Sequence, residues 1–259
     1  MENNTLKLNV ENGKYIAYRY IKAKSAKNYL IFFIHGYADE MIEEKAMKME
    51  EICKKLDVDL VKLDLYGHGG SSGKLNDMTM DDWYNCCKTI IEKIIFPTNK
   101  KIILSGSSLG GWLSYIFSEE LKDKVIGVIS IAGAVDFFTG VVEPLIKEED
   151  KDKEFVYEMI YEDEGNLPSG DLISRKLIES SKKYNMLNKD KIDIKCPIRI
   201  IHGLKDELVP YEYSLKFSEK VESQDVKLYI EKNMNHNLTI KNNLDCIVKV
   251  VEEFINELK

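Results

Sequence analysis

No run of about 20 apolar residues, the length a helix needs to cross a bilayer, occurs in the chain of 259 residues, so no integral membrane segment is expected. The stretch from Met1 to Lys14 has neither the apolar core of a secretory signal nor an Arg-rich amphipathic pattern, which predicts a cytoplasmic protein. There is no C-x-x-C. The five cysteines (Cys53, Cys86, Cys87, Cys196 and Cys246) are odd in number and scattered, so reduced thiols are expected rather than a disulfide framework or a zinc site. A basic surplus is also missing. The net charge of −7 repels phosphate backbones and argues against nucleic acid as a partner.

Cofactor signatures are equally scarce. Gly67-His68-Gly69-Gly70-Ser71-Ser72-Gly73-Lys74 falls short of a phosphate loop, because Leu75 stands where Ser or Thr is required and His68 replaces the first glycine. No G-x-G-x-x-G opens a helix after the first strand. Neither H-E-x-x-H nor any clustered metal-ligand spacing appears. No cofactor and no metal are therefore expected.

What is present is a regular alternation. Tyr15–Ile21, Tyr29–His35, Val58–Leu65, Lys101–Leu104, Val125–Ala132, Pro197–His202 and Val226–Ile230 are apolar runs that predict strands. Met41–Leu56, Asp81–Ile95, Leu109–Leu121, the stretch near Tyr211–Val221 and the region Ile240–Leu258 predict helices. Continuous apolar strands between helices imply a single α/β domain over residues 1–259, built on a mostly parallel, doubly wound sheet. Phe137–Lys191 breaks the rhythm. It is polar and helix-prone, with Gly165-Asn166-Leu167-Pro168-Ser169-Gly170 in its middle, and is expected to form a small helical insertion, a lid.

The strongest chemical signal is Gly106-Ser107-Ser108-Leu109-Gly110-Gly111, a G-x-S-x-G between a predicted strand and a predicted helix. The flanking glycines permit a sharp turn that lifts the Ser108 hydroxyl out of the sheet and aims the Leu109 amide, at a helix N-terminus, toward a developing oxyanion. Ser105 and Ser107 lack both flanking glycines. A serine hydroxyl needs a base to take its proton. There are four histidines: His35, His68, His202 and His236. In the chain order serine, acid, histidine, only His202 and His236 follow Ser108. His202 closes a strand before Gly203 and reads as a packing residue, which leaves His236 as the base. Asp206, just beyond a strand, is the candidate acid, with Glu207 and Asp136 as alternatives. The second oxyanion donor is expected at the Tyr37 amide, in His35-Gly36-Tyr37 after an early strand.

These residues resemble the α/β-hydrolase superfamily. The carrying motifs are the Gly-x-Ser-x-Gly turn, His35-Gly36, Asp64-Leu65-Tyr66-Gly67-His68-Gly69, His202-Gly203-x-x-Asp206 and the late His236. A closer resemblance, from about Tyr15 to Phe254, is to the family of acyl-protein thioesterases that includes mycophenolic acid acyl-glucuronide esterase. It rests on Gly106–Leu113 and Cys196–Asp206, with Ser107 in place of the superfamily's usual histidine as a mark of the subgroup. The resemblance implies an α/β-hydrolase fold and a Ser108–Asp206–His236 triad. It also implies an oxyanion hole from the Tyr37 and Leu109 amides, and hydrolysis of acyl esters or of acyl thioesters, an S-acylated protein among them. Gly67–Gly73 and His35-Gly36 are also similar to bacterial cinnamoyl and feruloyl esterases and to monoacylglycerol lipases. A serine peptidase and a non-catalytic binding protein on the same fold are the remaining alternatives.

Overall fold

The computed structural model describes residues 5–25, 27–161, 169–236 and 243–258. Its main sheet is built from β1 (Leu6–Asn9), β2 (Tyr15–Ile21), β3 (Tyr29–Ile34), β4 (Asp59–Leu63), β5 (Lys101–Ser107), β6 (Val125–Ile131), and two later strands. A separate antiparallel hairpin, β7 (Phe155–Tyr161) and β8 (Ser169–Ser174), comes before those two, β9 (Ile198–Gly203) and β10 (Val226–Glu231). The order across the main sheet is β1-β2-β4-β3-β5-β6-β9-β10. All neighbours from β4 to β10 are parallel, and β2 runs antiparallel to both β1 and β4.

Alternation along each parallel strand feeds two cores. On β3, Leu30, Phe32 and Ile34 enter one face while Ile31 and Phe33 enter the other. Ile102 and Leu104 against Ile103 on β5, and Ile198 and Ile200 against Ile201 on β9, repeat the pattern. Helices α1 (Glu44–Leu56) and, at the far end of the chain, Asn243–Glu257 cover one face through Met49, Ile52, Val250 and Phe254. Helices α2 (Met80–Ile90) and α3 (Leu109–Leu121) cover the other through Trp83, Cys87, Trp112 and Phe117. They are joined there by α4 (Arg175–Ser181), α5 (Glu212–Lys220) and parts of the segment after β6; the closing helix is α6. Burial on both faces is the reason these strands read as unbroken apolar runs. Among the described residues no helix is long and apolar enough to cross a membrane.

Three expectations need correction, and one strand carries no expectation at all. β1 had no signal, because Leu6-Lys7-Leu8-Asn9 is an edge strand with mostly exposed side chains. α1 starts at Glu44 rather than Met41, because the Met41 amide donates 2.7 Å to Asp64 Oδ1 and ties that stretch to a loop. The helix expected over Asp81–Ile95 runs as α2 to Ile90 and then widens into a π turn, Ile91–Ile95, ahead of Pro97. The segment Phe137–Lys191 is not simply helical: it holds the β7–β8 hairpin beside α4 and single helical turns. Phe155, Val156, Tyr157, Ile160 and Tyr161 are residue types that favour strands. Residues 165–168 of the predicted turn, and the first three residues of the closing helix predicted from Ile240, lie outside the described residues.

Candidate active site

Ser108 sits between β5 and α3 with φ 51° and ψ −116°, a strained backbone for a residue with a side chain. The turn is possible because its flanks are glycines. A Cβ at Gly106 would stand 2.2 Å from the Gly110 carbonyl, and one at Gly110 would stand 2.0 Å from the Ile34 carbonyl oxygen. The Ser108 N–H donates to Ile131 O at 2.9 Å, and its carbonyl accepts from Trp112 and Ala134, so the turn is bonded to β6 and α3. Ser105 and Ser107 are buried within β5.

The carboxyl ends of the parallel strands converge on this serine. His236, in the loop after β10, brings Nε2 to 3.0 Å from Ser108 Oγ across 128 residues of sequence. Its Nδ1 lies 2.8 Å from Asp206 Oδ2, in the loop after β9. Because that carboxylate only accepts, Nδ1 carries the proton and Nε2 faces the serine as an acceptor. The other Asp206 oxygen, Oδ1, accepts from the Leu208 and Val209 amides. Burial by itself would raise the Asp206 carboxyl. Hydrogen bonds from His202, His236 and the Val209 amide outweigh it and hold the group well below the usual carboxylate range.

The two alternative acids are placed elsewhere. Glu207 is exposed. Asp136, buried after β6, accepts from the Met186 amide at 2.7 Å and the Leu187 amide at 2.8 Å.

The loop after β3 lies directly over the serine: a Cβ at Gly36 would be 3.3 Å from Ser108 Cβ. This puts Tyr37 beside the serine turn, opposite the first turn of α3, where the Leu109 amide belongs to the group with no partner inside the helix.

Two histidines hold this loop, a role the sequence reading did not assign. His35 Nε2 accepts from the Leu65 amide at 2.9 Å, so its proton sits on Nδ1 and goes to Gly36 O at 2.7 Å. His68 Nε2 accepts from the Ala38 amide at 3.1 Å, and its Nδ1 donates to Tyr66 O. The two rings meet edge to face, 4.9 Å apart. Burial lowers the His35 imidazole, and burial together with the neighbouring His35 pushes His68 down to about 3. Both are therefore neutral braces. All four histidines of the chain thus stand at one edge of the sheet. A signal existed in the sequence, since each follows or ends an apolar run, but not its meaning.

The Tyr37 ring packs edge-on against His68, Trp83 and Phe138. Its hydroxyl reaches Leu172 O on β8 at 3.4 Å. Of the apolar residues in the segment after β6, Phe137, Phe138 and Val142 are buried in the main core. Val141 and Tyr157 pack partly buried against it, and Phe155 is half-buried. Among the described residues no three His, Cys, Asp or Glu side chains are arranged to hold a metal ion.

A mostly parallel sheet, a serine on a strained strand-to-helix turn and an imidazole–carboxylate pair at the same edge define an α/β-hydrolase. Comparison with known proteins agrees. The model of the prolyl oligopeptidase family matches residues 66–258. The bovine (Bos taurus) palmitoyl-protein thioesterase ABHD10, mitochondrial, is 32% identical over 247 residues, covering 94% of this chain and 77% of that protein. The structure of mouse alpha/beta hydrolase domain-containing protein 10 superposes with a TM-score of 0.83 at 29% identity, covering 99% of this chain and all 100% of that one. A crystal structure of a protein from Agrobacterium vitis S4 superposes with a TM-score of 0.85 at 26% identity, over 97% of this chain and 98% of that one. The chain belongs to the prolyl oligopeptidase family and, within the α/β-hydrolases, to the same family as the bovine thioesterase.

Proposed function

We propose that this chain is a serine hydrolase that cleaves carboxylic ester or thioester bonds through an acyl-enzyme, with Ser108 as nucleophile, His236 as base and Asp206 as its partner. The observation that carries the proposal is the unbroken chain of contacts, 3.0 Å from Ser108 to His236 and 2.8 Å from His236 to Asp206. In the first step His236 Nε2 takes the serine proton while Oγ attacks the acyl carbonyl. Asp206 holds the imidazole tautomer and stabilises the imidazolium. The carbonyl oxygen, now negative, rests on the Leu109 and Tyr37 amides. His236 returns the proton to the departing thiol or alcohol. It then draws a proton from water, which attacks the acyl-serine, and passes that proton to Ser108 Oγ as the acid departs. Losing one oxyanion donor of this kind costs about 10²–10³ in rate.

The thioesterase name of the bovine relative supports a thioester-cleaving reading, with S-acylated proteins among the candidate substrates beside small acyl esters. Residues 1–259 are proposed as one domain with Phe137–Lys191 as its lid, and Tyr37 and Phe138, in edge-on contact, are the proposed wall on the acyl side. The proposed compartment is the cytoplasm, a reducing environment that five free cysteines suit. Cell fractionation tests it against mitochondria, the compartment in the relatives' name.

A fluorophosphonate probe tests the assignment. Labelling is expected in the wild type and in Ser107→Ala, and is expected to vanish in Ser108→Ala. A folded wild-type chain that takes no label would favour a non-catalytic binding protein. A serine peptidase is the second reading, because the matching family model is that of the prolyl oligopeptidases. A panel of p-nitrophenyl esters, S-acyl peptides and aminoacyl amides separates the two: turnover confined to the amides would overturn the esterase reading.

A further inference from the structure

His202 lies outside the three-residue chain, yet its imidazole reaches it. The residue ends β9, is fully buried, and sits four positions before Asp206. Its Nε2 stands 2.9 Å from Val209 O and 3.2 Å from Asp206 Oδ2. Both are acceptors, so Nε2 must carry a proton and share it between them. On the other side of the ring, Nδ1 is 2.7 Å from the Ser214 hydroxyl of α5, which donates to it. The tautomer is therefore set from both ends.

The result is a closed arrangement around one carboxylate. Oδ1 accepts from the Leu208 and Val209 amides, and Oδ2 accepts from His236 Nδ1 and faces His202 Nε2. Val209 binds both partners, its amide to Asp206 and its carbonyl to His202. A carboxylate has about four acceptor sites; here Oδ1 has two amide donors, and Oδ2 has His236 Nδ1 with His202 Nε2 beside it. Its plane is thereby fixed, and with it the direction in which Oδ2 meets His236. In a buried site a donor to an ionised group is stronger than a neutral bond, so the His202 contact also keeps the group ionised.

We infer that His202 is a positioning residue for the reaction: its imidazole orients Asp206 and keeps it ionised, and it acts on Ser108 only through Asp206 and His236. The inference rests on the serine-hydrolase reading above. Ser214 supports it from α5 by holding the His202 ring.

A double-mutant cycle on the full chain tests it, with p-nitrophenyl butyrate hydrolysis and the rate of fluorophosphonate labelling as readouts. His202→Leu is expected to lower kcat about tenfold, the equivalent of one hydrogen bond to a charged group, with KM unchanged. His202→Gln, whose amide N–H keeps a donor toward Asp206, is expected to regain most of that loss. In an Asp206→Asn background the His202→Leu change should alter either rate by less than about twofold, because the partner through which it acts is gone. Equal losses in both backgrounds, or a loss that His202→Gln does not relieve, would reduce His202 to a packing residue and overturn the inference. If His202→Leu fails to fold, Ser214→Ala replaces it in the same cycle, with a smaller loss expected in the wild-type background and none beside Asp206→Asn. A wild-type rate in Asp206→Asn alone would strike the triad reading itself, and the role of His202 would fall with it.

Discussion

At Gly110 an added methyl group would lie 2.0 Å from the Ile34 carbonyl oxygen, closer than any relaxed contact. The clash is with backbone, so no rotamer relieves it, and either α3 or β3 must move. Gly110→Ala is therefore expected to cost about 3 kcal/mol in stability, the top of the usual range for overpacked core substitutions, because the clash is with backbone. Urea unfolding checks this: a midpoint equal to that of the wild type would mean the turn is looser than its geometry. The same residue scale explains the histidines. His35, His68 and His202 are each tied by both ring nitrogens, whereas His236 spends one on Asp206 and turns the other to Ser108. Three braces and the proposed base are distinguished by their partners, not by residue type.

Between β6 and β9 the chain leaves the sheet and returns, and one side chain clasps the two ends of this excursion. Asp136, at φ 56°, accepts from the Met186 and Leu187 amides fifty residues later. Thr139 adds a bond from its hydroxyl to Asn185 Oδ1. Asp136→Asn keeps one acceptor but turns an N–H toward the other amide, leaving a buried donor unpaired at a cost of about 1–3 kcal/mol. Hydrogen exchange at Met186 and Leu187 is expected to quicken while β5 amides stay protected; unchanged exchange there would argue against the clasp. The β7–β8 hairpin within this excursion meets the loop over the serine through Tyr37 and Leu172. Element type here was legible only in part: Phe155–Tyr161 has strand-favouring residue types, but its partner Ser169–Ser174 is short and polar, and the surrounding segment lacks the apolar runs that marked the strands of the main sheet.

Across the whole molecule, burial of neutral imidazoles couples folding to pH. His68 is pushed down from an ordinary value of 6.5 to about 3, and His35 shifts in the same direction. Between those limits the unfolded chain binds protons that the folded chain refuses. Stability is thus full above about 6.5 and falls as pH drops toward about 3. At pH 5 the His68 contribution alone amounts to about 2 kcal/mol. Asp206 adds to the acid loss at lower pH: its depressed carboxyl stabilises the fold above the usual carboxylate range, and that stability goes as the pH falls through it. Urea midpoints are expected to be lower at pH 5 than at pH 7.5, and the gap should narrow in His68→Gln. Equal midpoints at the two pH values would contradict the buried-neutral assignment.

The amino-acid sequence alone determined the layered plan and the chemistry on offer. Strand–helix alternation is a local pattern, and β2 and α3 fall on their predicted spans because each is set by its own periodicity and flanking turn residues. The Gly-x-Ser-x-Gly turn is equally local, since its glycines are needed for contacts within a few residues and with the next strand. Only the tertiary structure decided partners. Whether His202 packs or braces, whether Asp136 or Asp206 meets His236, and what His35 and His68 hold all depend on strand order, which brings residues from 30 to 128 positions apart within 3 Å or so. Hydrogen bonds are short and directional, so a side chain's role is set by what the fold places at its polar atoms, and no spacing along the chain carries that information.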